Sequence, residues 1–191
     1  MKNKVDIVRN IYLFGVSIIG IIFLIIGILR IVDAFSFIYF SSEGIKTEHL
    51  YYYQNLYQGI VMALLGLLIF IFHWYFIVKE KRLGKMRNIE YESSMNFFEA
   101  IFFYLLSFIG IIVFISSSMG LVSGLYNIKY PPPVFDNNGK IIQETSPYVT
   151  TDMGKVIKSG ISMLIGLATF LIGFLKTQIS MKKVDSQEIN T

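Results

Sequence analysis

Few residues in this chain could do chemistry, and they stand far apart. There are two histidines: His49 beside Glu48, and His73 beside Trp74. A protein metal site draws three or four converging nitrogen, oxygen or sulfur ligands. With two histidines and no cysteine, neither a metal centre nor a thiolate nor a disulfide is expected. Arg30 and Asp33 are three residues apart, so a helix would put them on one face. They read as a snorkelling pair at a membrane surface, with a charged site facing a cavity as the alternative. Ser116, Ser117 and Ser118 bring hydroxyls into an apolar run. Such hydroxyls commonly bond back to the preceding turn, and a polar cavity lining is the competing reading. Leu83-Gly84-Lys85 is far too short for a phosphate loop, and no Ser/His/Asp arrangement is in reach. The expectation is a protein that is not an enzyme and carries no cofactor.

The elements that position these residues are long and apolar. Of 191 residues, 54% are hydrophobic and only 16% charged, with a mean hydropathy of +0.59. Ile11–Leu29 carries no charge, which is enough helix to cross about 30 Å of hydrocarbon. Segments that are apolar all round belong in lipid, where every backbone group must be satisfied within the segment, so they are helices. Four such helices are expected, at about 9–38, 56–78, 97–126 and 152–176. No secretory leader or lipidation pattern is expected.

Between them lie a polar loop at Ser41–Asn55, a basic linker running on through Tyr91–Asn96, and a second outer loop at Asn127–Thr151. The tail from Met181 to Thr191 reads as disordered. Tyr51, Tyr52, Tyr53 and Tyr57 fit an aromatic belt. In the second outer loop Tyr130-Pro131-Pro132-Pro133 must be extended. Asp136-Asn137-Asn138-Gly139 is a turn signal between Val134-Phe135 and Ile141-Ile142, which reads as a small β-hairpin. Glu99 is expected in the first turn of the third helix, where a carboxylate suits the positive end of the dipole.

Charge sets the orientation. With the N-terminus inside, eleven of the seventeen Lys and Arg residues face the cytoplasm: Lys2, Lys4, Arg9, Lys79, Lys81, Arg82, Lys85, Arg87, Lys176, Lys182 and Lys183. Both termini are therefore expected to be cytoplasmic, in a multi-pass protein of the cell membrane. His73, Trp74, Lys79, Lys81 and Arg82 are the expected contacts with the interface and with anionic lipid headgroups.

The halves of the chain resemble each other. Ser17-Ile18-Ile19-Gly20-Ile21-Ile22 matches Ser107-Phe108-Ile109-Gly110-Ile111-Ile112, and Leu64-Leu65-Gly66-Leu67 matches Leu164-Ile165-Gly166-Leu167. The expected architecture is an all-α integral membrane bundle made of two tandem helical hairpins, one domain over 1–191. Gly20 and Gly27, Gly59 and Gly66, and Gly166 and Gly173 are each seven apart, which holds a small residue on one face over two turns. Ser116, Gly120 and Gly124 repeat every fourth residue, a ridge that lets another helix come close. Gly20, Gly27, Gly66, Gly110, Ser116, Gly120, Gly124 and Gly166 are the expected helix-packing residues.

Tyr12-Leu13 near the start of the first helix, and a second helix ending His73-Trp74 before basic residues, carry a family likeness. The chain resembles the uncharacterised prokaryotic membrane family catalogued as domain of unknown function 5671. The resemblance covers about the first 125 residues and implies a helical membrane protein with no known activity. The second half has no His-Trp; Phe174-Leu175 precedes Lys176 there. Of the functions considered, a structural or interaction subunit with a membrane-protein partner or a second copy fits best. A small transporter or channel built from two parallel hairpin repeats is the alternative. No nucleic-acid partner is expected.

Overall fold

The computed structural model describes residues 2–40, 46–85, 89–130, 134–135, 141–142 and 148–188, with side chains described over 7–39, 51–83, 95–130 and 153–182. Four helices dominate: α1 (Lys2–Phe40), α2 (Lys46–Lys85), α3 (Ile89–Lys129) and α4 (Tyr148–Glu188). At 1.5 Å per residue each is roughly 60 Å long, twice the hydrocarbon thickness. Stretches long and apolar enough to cross a membrane occur in all four: Ile7–Tyr39, Tyr51–Leu83, Met95–Lys129 and Met153–Lys182. The chain is thus a membrane protein built on four helices, each long and apolar enough to cross a bilayer. Between α3 and α4, strands β1 (Val134–Phe135) and β2 (Ile141–Ile142) pair antiparallel, Val134 opposite Ile142 and Phe135 opposite Ile141. The connecting Asp136–Gly139 turn and Pro131–Pro133 lie outside the described residues.

Several boundaries differ from the expected ones. Ser41–Asn55 is not a loop throughout, because α2 already begins at Lys46 and carries Tyr51–Tyr57 in helix. The Tyr91–Asn96 part of the linker belongs to α3. The tail is helical as far as Glu188. Hydropathy marks only where a helix meets lipid. Lys, Gln, Glu and Met are good helix formers in water, so a helix can run on beyond the apolar segment. What stops α3 is legible: Pro131 disfavours helical backbone at the residue before it, and Tyr130 is already a bend.

α1 packs along α2 and α3 along α4, and these are the two most extensive contacts. α1 also meets α4 and α3, and α2 meets α3; no contact of α2 with α4 appears among the described residues. The ends carrying the chain termini form the terminal end of the bundle, and the opposite ends form the loop end. A core of Leu13, Phe14, Ile77, Met95, Phe102 and Phe103 joins α1, α2 and α3 near the terminal end. Large apolar residues such as Leu64, Leu68, Met119 and Val122 lie on the outside. That is the ordinary surface of a helix in lipid. Because lipid tails are as apolar as leucine, close packing, hydrogen bonds and ion pairs must hold such helices together.

Candidate functional site

The polar side chains gather at two levels. At the terminal end, Arg9 of α1 pairs with Glu80 of α2 at 3.0 Å, and Lys81 of α2 pairs with Glu99 of α3. At the loop end, Lys158 of α4 pairs with Asp33 of α1 at 2.6 Å, and Arg30 of α1 donates to the Gln58 amide oxygen of α2 at 2.7 Å. From Arg9 to Arg30 is 21 residues of α1, roughly 31 Å along the axis. From Gln58 to Glu80 is 22 residues of α2, roughly 33 Å. Each distance matches the hydrocarbon thickness. Residues 10–29, 59–78, 100–128 and 159–175, which run between these levels, include no Asp, Glu, Lys or Arg.

Two sequence expectations change here. Arg30 and Asp33 share a face, yet each reaches a different helix rather than its neighbour. Glu99 is not in the first turn of α3, which begins at Ile89; its carboxylate meets a lysine rather than a helix dipole. A half-buried carboxylate within reach of an ammonium gains more than a dipole end offers on an exposed turn.

Between the two levels, hydroxyls bond within their own helices. Ser17 donates to the Leu13 carbonyl at 2.8 Å, Ser118 to Phe114 at 2.8 Å and Thr177 to Gly173 at 2.9 Å. Ser118 therefore bonds back to the preceding turn, as read from the sequence, and lends no open hydroxyl to a cavity. Ser107 instead reaches across to the Phe170 carbonyl of α4 at 3.4 Å. Among the described residues, no three His, Asp or Glu side chains converge. The gap between α1 and α3, lined by Ile18, Ile21, Phe102, Leu106 and Ile109, has no room for a water molecule.

Glycines bring the helix backbones together. A methyl placed on Gly66 of α2 would lie 2.6 Å from the Gly20 carbonyl oxygen of α1. One on Gly27 would lie 2.7 Å from the Gly59 carbonyl, and one on Gly59 would lie 3.0 Å from the Gly27 carbonyl. The α3–α4 pair repeats the first of these crossings. Gly110 and Gly166 each face the other's carbonyl, at 2.9 and 3.0 Å. A methyl on Gly173 would lie 2.6 Å from the Ser107 nitrogen and 2.8 Å from the Phe103 carbonyl.

Of the expected ridge, Gly120 faces the Ser159 hydroxyl of α4 and Gly124 is buried, whereas Ser116 is exposed. The glycines carry a spacing signal in the sequence. Ser159 and Ser107 were missed as their partners, since a serine gives no packing signal without knowing which helix it faces. Gly15 and Gly160 face open space.

The residues that carry the family likeness meet at the terminal end. The Tyr12 ring stands edge-on to His73, centroids 5.8 Å apart. His73 also hydrogen-bonds the Ile69 carbonyl at 2.9 Å; a carbonyl only accepts, so the Nδ1 atom carries the proton. Trp74 turns inward. Its ring stacks on Phe70 at 5.5 Å, tilts against Phe102 at 5.5 Å, and meets Phe103 edge-on at 6.1 Å. Leu13 is buried in the cluster that Trp74 packs against. Of the five residues expected at the interface, Lys79 and Arg82 are exposed, His73 and Trp74 are half-buried, and Lys81 is held by Glu99.

No curated protein matches this chain, and no solved structure does. A family model does match residues 10–129, from Asn10 in α1 to the end of α3. That match includes Tyr12-Leu13, His73-Trp74 and the Phe102-Phe103 surface that receives the tryptophan. The chain belongs to the family described as a domain of unknown function (DUF5671).

Proposed function

We propose that this protein is a structural or interaction subunit in the membrane, a preformed bundle that holds or modulates another membrane protein. The observation that carries the reading is the interior between the two polar levels. It holds no charged side chain, Ser17, Ser118, Thr169 and Thr177 turn their hydroxyls back to carbonyls of their own helices, and the gap between α1 and α3 is too tight for water. Transport sites at mid-membrane depth ordinarily carry polar or ionisable groups. The same interior gives an enzyme nothing to work with, and we read the protein as non-enzymatic.

Reconstitution of the purified chain into liposomes tests this. No flux of any ion or small solute above protein-free vesicles is expected. Saturable flux that Gly66→Leu abolishes would overturn the reading.

A second reading has one specific observation in its favour. Ser17, Gly20, Gly66 and Phe70 stand in the first hairpin as Ser107, Gly110, Gly166 and Phe170 stand in the second, and both pairs cross at the matching glycines. This supports a duplicated hairpin with a pseudo-twofold axis along the membrane normal, an arrangement used by some transporters. The liposome measurement separates the two readings directly.

We place both termini in the cytoplasm and the protein in the cell membrane, on the weight of the basic residues around Lys79, Arg82, Lys176 and Lys182. The chain has no cysteine, so single cysteines report topology against a silent background. A cysteine at Lys79 should be shielded from an impermeant maleimide in intact cells, and one at Tyr53 should be labelled. The reverse pattern would invert the orientation.

A further inference from the structure

Arg30 differs from the three ion-paired cations at the two polar levels. Arg9, Lys81 and Lys158 each face a carboxylate: Glu80, Glu99 and Asp33. Arg30 faces the neutral amide of Gln58 among the described residues. A guanidinium has five N–H donors in a planar fork. One nitrogen of Arg30 is tied to Gln58, which fixes the fork and leaves donors for an anion. The stem has a built path. The position facing it on α2 is Gly59, where even a methyl would come within 3.1 Å of the Arg30 Cβ. The glycine lets the arginine lie across α2 and reach Gln58.

Depth selects the anion. Arg30 is roughly 31 Å along α1 from Arg9, so the two arginines stand at opposite edges of one hydrocarbon layer. The group that fills this level in a bilayer is the lipid phosphate. A guanidinium fork matches two phosphate oxygens, which makes arginine the side chain suited to hold one. Gln58 is exposed and Arg30 only half-buried, so the fork is open to a lipid from the side.

We propose that Arg30, oriented by Gln58, binds the phosphate of a membrane lipid at the loop-end edge of the apolar layer. The site stands on this geometry alone and holds whether the bundle scaffolds a partner or moves a solute.

Native mass spectrometry of the full chain released from micelles tests it, with phosphatidylglycerol as the probe and a phosphate-free galactosyl diacylglycerol as its comparison. The wild type should retain one phosphatidylglycerol and little galactolipid. Arg30→Gln should weaken retention about tenfold, the loss of one charge-assisted hydrogen bond pair. Arg30→Lys should fall between them, because a lysine keeps the charge and loses the fork. Gln58→Leu, which leaves the arginine in place, should also weaken retention, and it reads the site if Arg30→Gln fails to fold. Lys182→Gln, at the other end of the bundle, should behave as wild type. Undiminished retention in both Arg30→Gln and Gln58→Leu would overturn the proposal. So would equal retention of the galactolipid, or displacement by millimolar inorganic phosphate, which would make the site one for free anions.

Discussion

The two hairpins cross at the same place and close in opposite halves. In the α1–α2 pair the backbones touch at Gly20/Gly66 and again toward the loop end at Gly27/Gly59. In the α3–α4 pair they touch at Gly110/Gly166 and again toward the terminal end, where Gly173 meets Ser107. Seven residues past its crossing glycine, α4 has Gly173 while α2 has His73. The terminal half of the first pair is therefore held by side chains, through the Tyr12–His73 ring contact and the Arg9–Glu80 ion pair. The lesson is that one crossing geometry tolerates a glycine or a large side chain one step away, provided the neighbouring helix supplies a matching surface. In the first hairpin that surface belongs partly to α3. Trp74, next to His73, fills the space against Phe102 and Phe103 and ties the two hairpins together.

The crossings themselves should be the most sensitive points. Gly66→Leu or Gly166→Leu places a side chain where the facing backbone already sits, so loss of the folded bundle and degradation in the cell are expected, read by expression level and by gel filtration in detergent. Gly66→Ala is the milder form, with an expected cost of about 1–3 kcal/mol, the usual penalty of overpacking a tight contact; reversible unfolding in detergent measures it. Equal tolerance of alanine at Gly66 and at Gly15 would remove the distinction between crossing and open glycines.

The tie between hairpins comes next. Lys81→Met leaves the Glu99 carboxylate half-buried without its cation, for an expected loss of about 1–3 kcal/mol, the range for hydrogen bonds to charged groups. A double-mutant cycle with Glu99→Gln isolates the pair, and additive losses would show that the two do not act together. Trp74→Leu keeps an apolar side chain but removes the ring contacts and part of the volume, so a loss of about 1–2 kcal/mol is expected. The same substitution at Phe174, which is exposed on α4, should change little.

The smallest effects sharpen the contrast. Gly120→Ala meets only the end of the Ser159 side chain, which can rotate away, so a loss well below that of Gly66→Ala is expected. Gly15→Ala meets nothing within 4 Å. There alanine should be neutral or stabilise by about 0.5–1 kcal/mol through helix propensity.

Much of this frame was legible in the sequence, for physical reasons. Lipid demands continuous apolar helix, so Ile11–Leu29 and its three counterparts declared themselves. Close backbone approach demands small residues, so the seven-residue spacing of Gly20 and Gly27, or of Gly59 and Gly66, pointed to the faces that pack. What stayed hidden depends on facts that a linear pattern does not carry. The helical continuations at Lys46–Leu50 and Met181–Glu188 are polar, and hydropathy is blind to helix in water. Trp74 looked like an interfacial anchor because tryptophan favours that depth, and only the position of Phe102 explains its inward turn. Arg30 and Asp33 looked like a pair because they share a face, yet their partners come from α2 and α4.

The proposed role is tested most directly in native membranes, with a photoreactive amino acid placed at Leu68 on the exposed face of α2 or at Ala63, whose backbone packs on Gly27. From Ala63 the expected product is a crosslink within the chain, to α1. From Leu68 a single, discrete adduct with another membrane protein or a second copy of the chain is expected. Lipid adducts alone from Leu68, with the chain migrating as a monomer under mild extraction, would contradict the assignment of this bundle as an interaction subunit.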